Sequence, residues 1–210
     1  MSPRPYRLGR RETSVEDTRA RLIDAARRVF SEAGFVQASL DDVAKRAGVA
    51  RATVYYQFGS KTGLLEAAIA HVAAENRRGR PPRAPMSEHP CEALLQYVAD
   101  VGAVWERNSP FLRNVAGLAV LEPEIAHVVR QHDERRREGL TWLVKRLHDA
   151  GMLRSDASHR RVVDVVWTLS SFRSYDHLRR YVNLSPKETS AVIRTLVLSL
   201  LAPGGDSSAG

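Results

Sequence analysis

The sequence predicts an all-α chain of about nine helices, and three observations predict it. Apolar residues recur at helical rather than strand spacing in nearly every segment. Glycine and proline fall where those periodic segments end or begin. No internal repeat and no convincing pair of strands interrupts the pattern.

The first helix is expected from about Val15 to Ala33, with Thr13 and Glu16 as a capping box and Gly34 as its stop. Leu22, Ala26, Val29, Phe30 and Ala33 form its inward face. A short helix follows over Leu40–Ala47, with Ser39 at its N-cap and Leu40, Val43, Ala44 and Ala47 as its apolar stripe. Gly48 and Val49 make a turn into a third helix, from Arg51 to Gln57, ended by Phe58 and Gly59. The fourth runs from about Lys61 to Arg77, with Leu64, Leu65, Ala68 and Val72 inward. Residues 77–90 hold four prolines and a glycine and read as a loop. Further helices are expected near 92–107, 111–121, 124–150, 156–180 and 186–201, with Pro110, Pro123 and Pro186 at starts and Gly151 at an end.

With 210 residues, 43% of them hydrophobic, the chain can bury a sizeable core. Its net charge of +8 makes a polyanionic partner plausible. The charge is uneven: residues 1–61 hold 12 Lys and Arg against 7 Asp and Glu, while residues 91–210 hold 16 against 14. Arg4, Arg7, Arg10 and Arg11, beside Pro3, Pro5 and Gly9, read as a flexible basic arm. The organisation expected is an arm (1–15), a short N-terminal helical domain (16–61), a larger helical body (62–204) and a disordered tail (205–210). Cys91 is the only cysteine, no signal peptide is legible, and the longest apolar run, Leu196–Ala202, is too short for a bilayer. These features predict a soluble cytoplasmic protein with no membrane partner.

Residues 39–61 carry the chemistry. A helix-turn-helix needs small residues inside its first helix, a glycine at the turn and apolar inward positions. Ala44, Gly48, Val49 and Val54 meet those demands. The second helix must present a polar outer face to the major groove, and Arg51, Ala52, Thr53, Tyr55, Tyr56 and Gln57 fit. The full run, Ser39-Leu-Asp-Asp-Val-Ala-Lys-Arg-Ala-Gly-Val-Ala-Arg-Ala-Thr-Val-Tyr-Tyr-Gln-Phe-Gly-Ser-Lys61, is more specific. It resembles the tetracycline-repressor (TetR/AcrR) family of transcriptional regulators, as does Ala25-Ala26-Arg-Arg-Val-Phe-Ser-Glu-Ala-Gly-Phe35. The close resemblance covers roughly residues 18–66.

The resemblance implies that Thr53 and Tyr55 contact phosphates or base edges, that Tyr56 lies along the sugar-phosphate backbone and that Lys61 meets a phosphate at a helix N-terminus. Ser39, Ala52 and Gln57 complete the expected DNA face, and Arg51 is the candidate for reading a guanine. Four positions depart from the family pattern. Ala50 replaces a usual Ser, removing a cap typically worth about 1 kcal/mol. Gln57 stands where His is common, and Thr62-Gly63 replaces an acidic pair.

In the body, Val162, Val166 and Leu169, with Val192, Leu196, Val197 and Leu200, lie on helices apolar nearly all round and predict a homodimer seam, which the resemblance also implies. Trp105, Phe111, Asn114, Trp142, Phe172 and Tyr175 are candidates to line an apolar ligand pocket, with plain core packing as the alternative. Arg135, Arg136 and Arg137, beside Glu134 and Glu138, read as a solvated helix face. Gly59-Ser60-Lys61-Thr62 lacks the earlier glycine and strand of a P-loop. His127 and His132 are too far round a helix to share a metal, so no metal or other cofactor is expected. The expected function is a homodimeric repressor, binding double-stranded operator DNA and released by a small apolar ligand. A ligand-independent regulator or activator, and an all-α enzyme with a fortuitous helix pair, remain the alternatives; no catalytic constellation supports the last.

Overall fold

The computed structural model describes residues 9–78 and 89–202. Among them are nine α-helices: α1 (Gly9–Gln37), α2 (Leu40–Ala47), α3 (Arg51–Phe58), α4 (Lys61–Arg78), α5 (Pro90–Leu121), α6 (Pro123–Asp149), α7 (His159–Leu169), α8 (Phe172–Arg180) and α9 (Pro186–Leu198). One isolated antiparallel bridge, Leu153 to Leu201, is the only extended pairing among these residues. The chain divides into two compact units, Met1–His71 with Arg113–Val128, and Val72–Leu112 with Val129–Gly210. Most of the proline-rich loop, the first eight residues of the expected arm and the C-terminal tail lie outside the described residues.

The first unit is built on the inward faces of α1, α2 and α4. Leu22, Ala26, Val29 and Phe30 are buried as their spacing predicts, whereas Ala33 is exposed. Gly34 breaks α1 with φ 74° and ψ 161°, and Ala38 donates back to its carbonyl at 3.1 Å. The helix begins at Gly9, so Thr13 sits inside it and not at its cap, and residues 9–15 are helical rather than part of an arm. All four residues of the α2 stripe are buried, as are Leu64, Leu65 and Ala68 of α4. Asn114 donates to the Phe30 carbonyl at 2.7 Å and to that of Ser31 at 3.3 Å, fastening residues 113–128 to the end of α1.

The second unit packs α5, α6, α7, α8 and α9 around Leu94, Val98, Leu140, Val144, Tyr175 and Ile193. Two of its helices differ from the sequence expectation. α5 passes through Pro110 without a break. Proline removes an N–H and crowds the preceding turn, and there Ser109 donates to the Trp105 carbonyl at 2.8 Å while buried Asn108 donates to that of Val104 at 2.9 Å. Both bonds lie in the turn before the proline, whereas the carbonyl that Pro110 itself leaves without an N–H is that of Glu106. Conversely, the stretch 156–180 is two helices, because Ser170 ends α7 and the Ser171 hydroxyl caps α8 by accepting from the Ser174 N–H.

Arg136 corrects the reading of residues 134–138 as a solvated face. Its side chain is only 8% exposed, and it donates to Ser170 Oγ at 2.9 Å and to the Trp167 carbonyl at 3.3 Å. A cation at the carbonyl end of α7 satisfies groups that no helix partner can reach. Arg137 pairs with Asp164, which leaves Arg135 as the exposed arginine of the three. The expected dimer seam also changes. Val162, Val166 and Val197 are fully buried in the unit's own core, and Leu169 and Leu200 are half-buried against it. α9 buries Thr189, Ile193 and Val197 along one face and exposes Val192 and Leu196 on another.

Candidate nucleic-acid interface

The reading head is assembled by its caps. Ser39 Oγ accepts from the Asp42 N–H at 3.1 Å, and Asp42 Oδ2 accepts from the Ser39 N–H at 3.2 Å, closing a capping box at α2. The Ser39 hydroxyl also donates to Asp42 Oδ2 at 2.6 Å, and this bond first, then the one from the Ser39 N–H, holds the Asp42 carboxyl below its ordinary range. Gly48 ends α2 at φ 67° and ψ 39°, a conformation that favours glycine, and the next N–H, of Val49, reaches the Ala44 carbonyl at 3.0 Å. The reversal sets α3 against α2 through Val54, the one buried residue of α3. Ala50 provides no side-chain cap, as its residue type requires.

Because Val54 takes the inner face, half of the side chains of α3 turn outward. Arg51 and Ala52 are exposed, Tyr55 is 44% exposed and Tyr56 88%. A phenol left 88% in solvent has no part in the core; Tyr56 is available to a partner. Thr53 and Gln57 are half-buried. Phe58 is half-buried rather than core, and the Arg19 guanidinium lies 4.6 Å from its ring centroid while donating to the Gln57 carbonyl at 3.3 Å.

Lys61 opens α4. Its ammonium donates to the Val36 carbonyl at 3.1 Å and lies 4.6 Å from the Phe35 ring centroid. Partial burial there lowers its pKa. One of its three N–H groups is thus occupied, leaving two for an anion. Ser60 Oγ accepts from the Gly63 N–H at 2.9 Å and caps the same turn. Gly63 has a reason of its own: a Cβ there would stand 2.3 Å from the Phe58 carbonyl oxygen. The close approach of α3's end to α4's first turn therefore depends on a residue without a side chain.

The candidate ligand-pocket residues differ in burial and in what each touches. Trp105 and Phe172 pack edge to face at 5.9 Å, and Trp105 Nε1 donates to the Ser170 carbonyl at 2.9 Å. Tyr175 is buried and donates to Glu106 at 2.9 Å, and Arg179 donates to the same carboxylate; burial first, and then the Glu106 carboxylate, push the Tyr175 phenol's pKa up. Phe111 is buried, whereas Trp142 is 53% exposed with Arg146 over its ring. Asn114 belongs to the first unit and is engaged by backbone carbonyls there.

Sequence reasoning did not single out Asp41, Arg19 or the Arg46–Glu32 ion pair at 2.6 Å. Asp41 meets Arg51 across the turn, ten positions away, and only the crossing of α2 and α3 brings them together.

Residues 22–68 match the family model described as bacterial regulatory proteins, tetR family. The transcriptional regulator SrpR of Pseudomonas putida is 47% identical over 56 residues, covering 27% of this chain and 26% of that one. The transcriptional regulator BetI of Burkholderia mallei is 42% identical over 98 residues, 44% of this chain and 46% of that one. The chain thus spans between about a quarter and a half of the length of these relatives. Likeness of fold extends further. A TetR-family regulator from Rhodococcus superposes with a TM-score of 0.74 at 16% identity, over 89% of this chain and 100% of that one. A transcriptional regulator from Saccharomonospora viridis, solved in complex with choline, gives 0.72 at 15% identity, over 90% and 99%. It is residues 22–68, which contain the helix-turn-helix of α2 and α3, that match the tetR family of bacterial regulatory proteins.

Proposed function

We propose that this protein is a cytoplasmic, homodimeric transcriptional repressor that holds a palindromic operator through α3 and releases it on binding a small, largely apolar molecule. The observation that carries the reading is the outer face of α3, where Arg51, Tyr55 and Tyr56 are exposed on a helix anchored from behind by Val54. That face, with Thr53, Gln57 and Lys61 beside it, offers hydrogen-bond donors and aromatic surface to a major groove and its flanking phosphates. Two copies would place their α3 helices one helical turn of DNA apart, ~34–36 Å. Val192 and Leu196, apolar and exposed on α9, support a seam between copies. The Trp105–Phe172 pair supports an aromatic wall for the effector, and the choline complex of the Saccharomonospora viridis protein supports a small molecule in that role.

The test is binding to duplex DNA selected from a randomised pool, followed as salt is raised. Each phosphate contact contributes about −0.9 to the slope of log affinity against log salt. A slope of several units and recovery of a palindrome are expected. Binding that ignores both salt and sequence would refute the reading.

A further inference from the structure

The Arg51 side chain is held before any DNA arrives. Its Nη1 meets Asp41 Oδ2 at 3.0 Å, its Nη2 donates to Tyr55 Oη at 3.2 Å, and its guanidinium carbon lies 5.4 Å from the Tyr55 ring centroid. Asp41 stands in the first turn of α2, Arg51 opens α3, and Tyr55 follows one turn later. A carboxylate and a phenol thus fix the cation along the outer face of α3. Both raise its pKa, the Tyr55 hydrogen bond first and the Asp41 charge second.

Stability does not account for this contact. The Arg51 and Asp41 side chains are 55% and 59% exposed, and ion pairs so exposed contribute little. The cap of α2 is already supplied by Ser39 and Asp42. What the contact changes is freedom. A loose arginine must surrender its rotamers on meeting a base, whereas a held one has surrendered them on folding. Each Nη carries two N–H groups, so the two contacts leave one on each, with Nε–H besides. That remainder suits the O6 and N7 acceptors of guanine.

We propose that Asp41 is a positioning residue for base reading, holding Arg51 so that its remaining donors meet a guanine edge in the major groove. The inference rests on the proposed operator binding. It also gives Asp41 two opposed effects on DNA. Its charge repels every phosphate nearby, while its hold on Arg51 favours one base pair. Removing it therefore separates specific from non-specific affinity.

The experiment uses the full chain and a duplex that the wild-type protein selects from a randomised pool. Binding is measured to that duplex, to its single base-pair variants and to a scrambled duplex, for wild type, Asp41→Ala, Asp41→Asn and Arg51→Ala. In Asp41→Ala, preference for guanine at one position falls about tenfold, within the range that one good side-chain-to-base pair supplies, while affinity for the scrambled duplex does not fall. Asp41→Asn keeps an acceptor for the guanidinium and retains most of the preference. Arg51→Ala loses the preference at the same base pair, and adding Asp41→Ala to it changes that preference no further. An Asp41→Ala protein with full preference, or one weakened equally on every duplex, overturns the inference while operator binding stands. A wild type that selects no duplex overturns operator binding itself.

Discussion

Two adjacent residues of α9 allow folding and the proposed assembly to be tested separately. Val197 is fully buried in the core of the second unit, whereas its neighbour Leu196 is 44% exposed. Val197→Ala removes two buried methyl groups, about 1.6 kcal/mol of transfer free energy at ~0.8 kcal/mol each. A cavity of roughly 40 Å³ adds about 1 kcal/mol at ~24 cal/mol per Å³. The sum, about 2–3 kcal/mol, corresponds to a melting temperature lower by roughly 5–10 °C for a chain of this size. Leu196→Ala loses far less within one protomer, on the order of 1 kcal/mol, because nearly half its surface already meets water. If α9 forms the seam, Leu196→Glu leaves the protomer folded and places an unpaired charge in the interface, which is strongly unfavourable. The assay pairs thermal melting by circular dichroism with sedimentation equilibrium over a concentration series. Val197→Ala should melt earlier, and Leu196→Glu should keep its helicity while becoming monomeric. A Val197→Ala protein that melts with wild type would refute the core assignment, and a dimeric Leu196→Glu protein would remove α9 from the seam.

Gly63→Ala should destabilise the protein by about 1–3 kcal/mol, the range for overpacking, because its Cβ would stand 2.3 Å from the Phe58 carbonyl oxygen; a melt identical to wild type would show that α3 and α4 part freely. Tyr97→Phe should raise stability by up to about 1 kcal/mol, because the Tyr97 hydroxyl is buried beside Arg136 without an aligned hydrogen bond; chemical denaturation showing a loss instead would mean the two are bonded. The folded-state pKa of Asp42 lies below its ordinary 3.8, first through the Ser39 side chain and then its backbone. Its contribution is therefore present above the unfolded value and lost as pH falls through the folded one. Asp42→Asn should flatten the acid limb of a stability curve against pH, and an unchanged limb would assign the cap no charge dependence.

Much of the head was legible because its determinants are local. The Leu40, Val43, Ala44 and Ala47 stripe, the Ser39 cap and the Gly48 turn each depend on residues within a few positions, and each is where periodicity placed it. Tyr56 follows from the same logic: once Val54 faces inward, a residue two positions on in a short helix must face out. The body was less legible, because Pro110 and Ser170 are read by side chains distant in the chain or the neighbouring turn. A proline ordinarily marks a helix start, and nothing in the stretch around Pro110 announces that α5 runs on through it.

The sequence by itself determined the helical class, the cap and stop of α2 and the residues displayed by α3, since hydrophobic period and capping chemistry act over single turns. Tertiary structure alone decided which apolar residues of α7 and α9 turn inward, because Val197 and Leu196 are equivalent in hydropathy and differ only in which neighbours surround them. It also decided that residues 113–128 join the first unit, that Arg136 is buried at the end of α7, and that Asp41 holds Arg51 across the turn. Each of these is a contact between segments far apart in sequence or set by the crossing of helices. Pattern along a chain carries the direction of a side chain relative to its own helix, and packing carries what it meets there.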